Sequence, residues 1–320
     1  MKKILALVLA LASVAFAQAA FPQSWPQRPV KFICPLGPGS GADITGRLLA
    51  ERLSKRWGQP VVFENRPGGQ GVIAINAVIS ANDDHTLLYG PSSSFVGHPY
   101  ELEKIPYDPK ELQPVARVSS TVVVIAVPTS LGVNSLKELM DRVRAQPGKM
   151  NWSSITGVTD LVIAGYLKSA NLEAVRVPYK NPVAGLTDLV EGRLHFYSSA
   201  YAIVRPQAQA GKVKVLAIQN RGRVKGLDFP TVEEAGFPGL NFDGLVGLIA
   251  ARSSGVPDAV REKIAADVKT ELSDPAIVER MTQTGQIVAP GTPKELAAAI
   301  DEQAGHLAKF ATALGIKPKQ

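Results

Sequence analysis

The sequence predicts an α/β protein of 320 residues assembled in two halves. Three observations carry that reading. Short apolar runs of strand length alternate with segments whose apolar residues recur at helical spacing, the pattern of sheets covered by helices. The alternation restarts near Val122, and the chain closes on a run of helices. With 45% hydrophobic and 20% charged residues there is enough apolar material for two cores, which excludes disorder, collagen and a coiled coil.

In order, Val30 to Cys34 and Val61 to Glu64 read as short strands. Between them lies a helix from Asp43 to Trp57, with Ile44, Leu48, Leu49 and Leu53 on one face, and together they make a βαβ unit. A helix from Gly71 to Ser80 and a strand from Thr86 to Tyr89 follow. The next apolar strand is Val122 to Val127. After it come helix, strand, helix and strand at Ser135 to Ala145, Met150 to Ser153, Asp160 to Ala170 and Ala174 to Val177. A helix over Leu186 to Val190, a strand over Leu194 to Tyr197, a helix over Tyr201 to Ala210 and a strand over Val213 to Ile218 extend the second half. The Gly- and Pro-rich stretch from Gly222 to Gly239 marks a return crossing before the strand Leu245 to Ala250. The ending is helical over Pro257 to Leu272, Pro275 to Thr282 and Pro293 to Leu314, broken by a short strand Gln286 to Val288, with Pro257 and Pro293 at first-turn positions. The expected division is a signal segment over 1–19, a first lobe of 20–121 plus 236–320, and a second lobe of 122–235.

Lys2 and Lys3 before the apolar run Ile4 to Ala12, closed by small residues, read as a secretory signal peptide and predict export. That run is shorter than the roughly 18 apolar residues a membrane span needs. Without Lys2 and Lys3 the chain carries 33 basic and 28 acidic residues, a net charge of +5 spread along its length. Nucleic-acid binding would concentrate that excess on one element, so the field is expected to favour small anions. One cysteine, Cys34, permits no internal disulfide, and four scattered histidines offer no compact metal spacing. No metal or cofactor is expected.

Between the first strand and the first helix lies Pro35-Leu36-Gly37-Pro38-Gly39-Ser40-Gly41-Ala42-Asp43. The unpaired N–H groups of a helix start make such a loop an anion site. It also fits G-x-G-x-x-A, with Glu64 where a ribose-binding acid would stand, so an exported NAD(P)-type oxidoreductase is the alternative reading. No Lys follows the glycines, which excludes a P-loop, and Pro38 excludes a G-x-S-x-G elbow around Ser40. Asp43 is placed equally well as a helix cap and as a ligand contact.

Those residues, with Glu64-Asn65-Arg66-Pro67-Gly68-Gly69, Ile105-Pro106-Tyr107-Asp108-Pro109, Val177-Pro178-Tyr179-Lys180 and Pro230-Thr231-Val232-Glu233-Glu234-Ala235-Gly236-Phe237-Pro238-Gly239, resemble the Bug family over nearly the whole mature chain. These are periplasmic solute-binding receptors of tripartite tricarboxylate transporters. The resemblance implies a two-lobe Venus-flytrap fold, each lobe a mainly parallel sheet flanked by helices, with a small organic carboxylate in the cleft and no catalysis. It implies membrane transporter subunits as partners and a monomeric receptor; a ligand sensor feeding a two-component kinase is the variant of the same reading. The ligand-binding residues it implies are Gly39, Ser40, Gly41 and Asp43, then Ser92 and Ser93, then Ser154, Thr156, Gly157 and Thr159, with Tyr179 and Ser199. The sequence departs from the family pattern at Ser40, Val162, Asn181 and Ser199-Ala200, where Gly, His, Gly and Asp-Asn are usual. The lost polar groups point to a less polar or aromatic carboxylate.

Other polar residues read as structural. Arg66 is expected to hold its loop by a salt bridge, Asp83 and Asp84 to form a turn, His195 to be a satisfied strand histidine, and Cys34 to be a buried small hydrophobe.

Overall fold

A computed structural model describes residues 25–155, 157–179 and 182–319. The expected signal segment, Thr156, Lys180 and Asn181 lie outside the described residues.

The described residues form two sheets, one in each lobe. The first holds β1 (Val30–Cys34), β2 (Val61–Asn65), β3 (Thr86–Pro91), β4 (Leu112–Thr121), β10 (Gly244–Ala251) and β11 (Gln286–Gly291) in the order β11-β4-β10-β3-β1-β2. The second holds β5 (Val123–Pro128), β6 (Asn151–Ser154), β7 (Val175–Arg176), β8 (Phe196–Ala200) and β9 (Val213–Ile218) in the order β7-β6-β8-β5-β9. The helices are α1 (Gly41–Trp57), α2 (Val72–Ala81), α3 (His98–Glu101), α4 (Leu136–Ala145), α5 (Gly157–Ser169), α6 (Pro182–Val190), α7 (Tyr201–Gln209), α8 (Asp258–Glu271), α9 (Pro275–Gln283) and α10 (Pro293–Ala313).

Strand alternation builds a core on each face of each sheet. Val246, Leu248 and Ala250 of β10 pack with Leu49, Leu53, Ile264 and Met281 on one side of the first sheet, while Ile249 and Ala251 pack with Ile75, Val78 and Leu296 on the other. In the second sheet Ile125 and Val127 meet Leu139, Trp152 and Ile163, and Val124 and Ala126 meet Leu189, Tyr197 and Val204 on the opposite face. A further cluster joins the lobes, where Leu307 and Phe310 of α10 pack on Val158, Leu161 and Val162 of α5 with Val96, Val123 and Phe242.

The sheets are mixed and not mainly parallel. β2, β1 and β3 are parallel, as are β7, β6 and β8, but β10 pairs antiparallel with β3 and β4, β11 with β4, and β5 with β8 and β9. A strand arriving across the hinge, as β5 and β10 do, enters its sheet at the edge where β1, β3, β6 and β8 end, and so must run against them. The sequence reading has no counterpart of β4. Gln113, Pro114, Arg117 and Ser119 to Thr121 interrupt its apolar pattern, and the partners that pair with it lie more than a hundred residues further on. Pro114 is tolerated opposite Ile249 because the register shifts there, between Leu248 and Ile249. Pro257 is the N-cap of α8 and not its first residue, whereas Pro293 takes the first turn of α10 behind a capping box of Thr292 and Glu295. Past residue 236, Phe237 and Leu240 still pack into the core of the second sheet.

Two crossings connect the lobes, one between Thr121 and Val123 and one between Gln219 and Gly244. Asn220, 1% exposed, ties them together: its amide nitrogen donates to Thr121 O at 2.8 Å, and its Oδ1 accepts from Val123 N at 2.8 Å.

Candidate ligand-binding cleft

The ends of β1, β3, β4, β6 and β8 and the starts of β5, β10 and β11 meet at one cleft between the lobes, enclosing about 570 Å³. Four helix starts converge on the space: Gly41 and Ala42 of α1, Gly71 capping α2, Gly157 of α5, and Ala202 and Ile203 of α7 all line it. First-turn N–H groups have no acceptor within their helix and carry the positive end of its dipole. Ser40, Ser93, Ser94, Thr121 and Thr284 also line the space, and Pro35, Leu36, Val123, Ile155 and Ile203 make much of the wall apolar. Among the described residues no Lys, Arg or His lines the cleft, and the sole ionisable side chain there is Glu101. Among the described wall residues the positive character thus comes from helix starts and not from basic side chains. A second cavity, of about 230 Å³, lies beside Arg117, Arg221, Asp243 and His306 near the return crossing, away from the converging helix starts.

The first loop is built to be stiff. Gly39 has φ of 85°, open to glycine without strain. Ser40 is extended, with φ of −68° and ψ of 154°, so replacing a second glycine there costs no backbone strain. Its Oγ caps α1 by accepting from Asp43 N at 3.2 Å, while Asp43 Oδ2 accepts from Gly39 N at 2.9 Å. Asp43 is 4% exposed and also takes bonds from Arg47 Nε and Asn65 Nδ2, each at 2.9 Å. Burial alone would raise its pKa, but the Gly39 N–H, the Asn65 amide and Arg47 outweigh it and hold the carboxyl below the ordinary aspartate range.

The sequence profile described as "Tripartite tricarboxylate transporter family receptor" matches residues 45–316. The chain belongs to this receptor family. A UPF0065 protein of Bordetella bronchiseptica is 32% identical over 98% of this receptor and 93% of its own length. The solved structure of R. palustris Rpa4515 with adipate superposes with a TM-score of 0.79 at 26% identity, covering 92% of this chain and all of the other. The periplasmic binding protein BugD superposes with a TM-score of 0.75 at 26% identity, over 92% and 100% of the two chains. The two-lobe architecture and the Bug resemblance read from the sequence therefore stand.

Of the residues expected at the ligand, the receptor brings Gly39, Ser40, Gly41, Ser93 and Gly157 together on the cleft wall. Asp43 does not line it and is committed to bracing the loop. Ser92 is 3% exposed and donates from Oγ to Gln303 Oε1. Ser154 donates to Asp160 Oδ1 at 2.8 Å and accepts from Thr159 Oγ1 at 2.8 Å, so these two hydroxyls organise the start of α5 from behind. Tyr179 donates to Asp188, and Ser199 is buried within the second sheet. Thr156 lies outside the described residues.

Several wall residues escaped the sequence reading. Gln70 and Gly71 follow an ordinary-looking turn, and Thr121, Gly244, Thr284 and Gln286 are brought in from hinge segments distant in sequence. Gln286, 2% exposed, accepts from Ser119 Oγ and donates to Thr121 Oγ1, each at 2.9 Å, which orients the threonine hydroxyl. Glu101 carries no motif at all.

The structural assignments made for other polar residues agree with their contacts. Arg66 Nε bonds Glu64 Oε1 at 2.6 Å, and Lys31 stands 3.9 Å from the same carboxylate, so the acid that a dinucleotide ribose would need is already engaged. Asp83 accepts from His85 N within its turn, and His195 Nδ1 accepts from Asn151 N at 2.8 Å. Cys34 is buried, which pushes its thiol pKa up to about 11.

Proposed function

We propose that this protein captures a small organic carboxylate in the interlobe cleft and delivers it to the membrane subunits of a tripartite transporter. The observation that carries this reading is the convergence of four helix starts on a space with no basic side chain among its described wall residues. Such a wall holds an anion through N–H groups and hydroxyls. The adipate of Rpa4515, in a fold superposing at a TM-score of 0.79, supports the carboxylate class. The direct contacts in this reading are Gly39, Ser40, Gly41, Ser93 and Gly157; Asp43, Ser92, Ser154, Thr159, Tyr179 and Ser199 act by holding the loops and sheet that present them.

The protein acts as a monomeric binding protein without a cofactor, exported to the periplasm with its signal segment removed, and it has no nucleic-acid partner. Its lobes move as units about Thr121–Val123 and Gln219–Gly244. The many apolar wall residues suit a ligand with an aliphatic or aromatic middle. Calorimetry of the purified protein with a panel of mono- and dicarboxylates tests the reading. At least one should bind, and Ser40→Ala should weaken it about ten-fold or more, the loss of one hydrogen bond to a charged group at roughly 1.5 to 3 kcal/mol. Failure of every carboxylate to bind, with a nucleotide copurifying instead, would overturn it.

A further inference from the structure

We infer that Glu101 makes the cleft select a carboxylate that also carries an ammonium or another N–H donor, over a plain dicarboxylate of the same length. The inference rests on the receptor reading above and names its ligand class more narrowly.

Glu101 closes α3 on the first lobe and reaches the start of α5 on the second. A Cβ at Gly157 would stand 2.5 Å from its Cδ and Oε1, and one at Gly97 would stand 2.3 Å from Oε1. Glycine at both positions leaves room for this carboxyl against the other lobe. Oε1 is buried and has no hydrogen-bond partner among the described residues. Its charged surroundings are Asp160 on α5 and Arg176 on β7, and those two are bonded to each other. Arg176 is therefore spent on Asp160, and no cation contacts Glu101 among the described residues. On α3 itself the only other titratable side chains are His98, bonded to Tyr107 and to the Gln70 carbonyl, and Tyr100.

The cleft thus has two unlike features. Helix starts supply N–H donors for a carboxylate, and Glu101 supplies an acceptor to which no described residue donates. A buried acceptor of this kind is costly until it is paired. A ligand with a carboxylate and an N–H group satisfies both features at once, whereas a plain dicarboxylate brings a second negative charge toward Glu101. Burial raises the Glu101 pKa to about 7, with Asp160 adding to the rise and Arg176 opposing it, so a neighbouring ammonium has a substantial effect on its ionisation.

Calorimetry at pH 8 with matched pairs tests this: succinate and aspartate, glutarate and glutamate, adipate and 2-aminoadipate, together with 4-aminobutyrate and 6-aminohexanoate. The best nitrogen-bearing ligand should bind at least about ten-fold more tightly than its plain partner. In Glu101→Gln, which keeps the shape of the side chain, that ratio should fall to within about three-fold. Repeating the native measurement at pH 6 gives a second readout without substitution, and there the preference should shrink as Glu101 takes up a proton. Equal binding of the plain and nitrogen-bearing partners would overturn the inference while leaving the receptor reading intact. So would a preference that survives unchanged both in Glu101→Gln and at pH 6. Binding by no member of the panel would overturn the receptor reading and this inference with it.

Discussion

At Ser40 and Glu101, stability and binding are drawn from the same atoms. Ser40 caps α1 and lines the cleft, so Ser40→Ala should lower stability by about 1 kcal/mol through the lost cap, in addition to its effect on affinity. Asp43→Ala should separate the two, since it removes three loop bonds without touching the wall. Denaturation should then show a larger loss than in Ser40→Ala, and added ligand should recover part of it. Glu101 makes a pH prediction. Its folded pKa of about 7 exceeds the ordinary value of 4.5, so between those limits the folded state holds a proton that the unfolded chain has released. Stability falls as pH rises through that window, and the penalty is complete above it. Glu101→Gln should therefore melt higher than the native protein at pH 8, by at most on the order of 3 kcal/mol, and match it near pH 4. A shift of equal size at both pH values would show that Glu101 does not titrate in this range.

Among the elements, α10 has the widest reach. Its first turns pack on the first sheet through Leu296, and its later turns pack on α5 through Leu307 and Phe310. Gly165 permits this contact, since a Cβ there would stand 2.5 Å from the Phe310 ring. Leu307, 1% exposed, lies in the cluster that joins the lobes. Leu307→Ala should cost about 2 to 5 kcal/mol, as cavities in packed cores do. Because the contact spans both lobes, thermal unfolding should also broaden or split as the lobes lose cooperativity. A single transition of unchanged width and midpoint would mean that α10 does not couple them.

Across the whole molecule, one buried amide holds both crossings. Asn220→Ala removes the bond to the Thr121 carbonyl and strips the partner from the buried Val123 N–H, which costs about 1 to 3 kcal/mol when left unpaired. The variant should melt several degrees lower than the native protein. A ligand touching both lobes stabilises the closed arrangement only by its differential contacts there. Small-angle scattering should report a smaller radius of gyration with ligand, and a hundred-fold excess over Kd should add about 2.7 kcal/mol of stability. Tight binding with an unchanged scattering profile would place the ligand on one lobe alone.

Local sequence suffices for most of the elements and for the character of the first loop. Helix boundaries at Pro275 and Pro293 and strands such as Val213–Ile218 follow from periodicity and capping, which need no distant partner. Gly39, Ser40 and Gly41 were legible because a strand-to-helix turn with small residues exposes N–H groups wherever it occurs, whereas Gly157 was reached through the family resemblance. The remaining features arise only in the folded chain. Folding pairs β4 with β10 and β11, makes the sheets mixed where parallel ones were expected, and sorts the hydroxyls into those that face the cleft and those, like Ser92 and Ser199, that are buried behind it. A serine in a loop has no periodicity to say which way it points. Glu101 is the clearest case: its environment is made by Gly97 beside it and by Gly157 and Asp160 from the other lobe, residues that meet only when the two lobes come together.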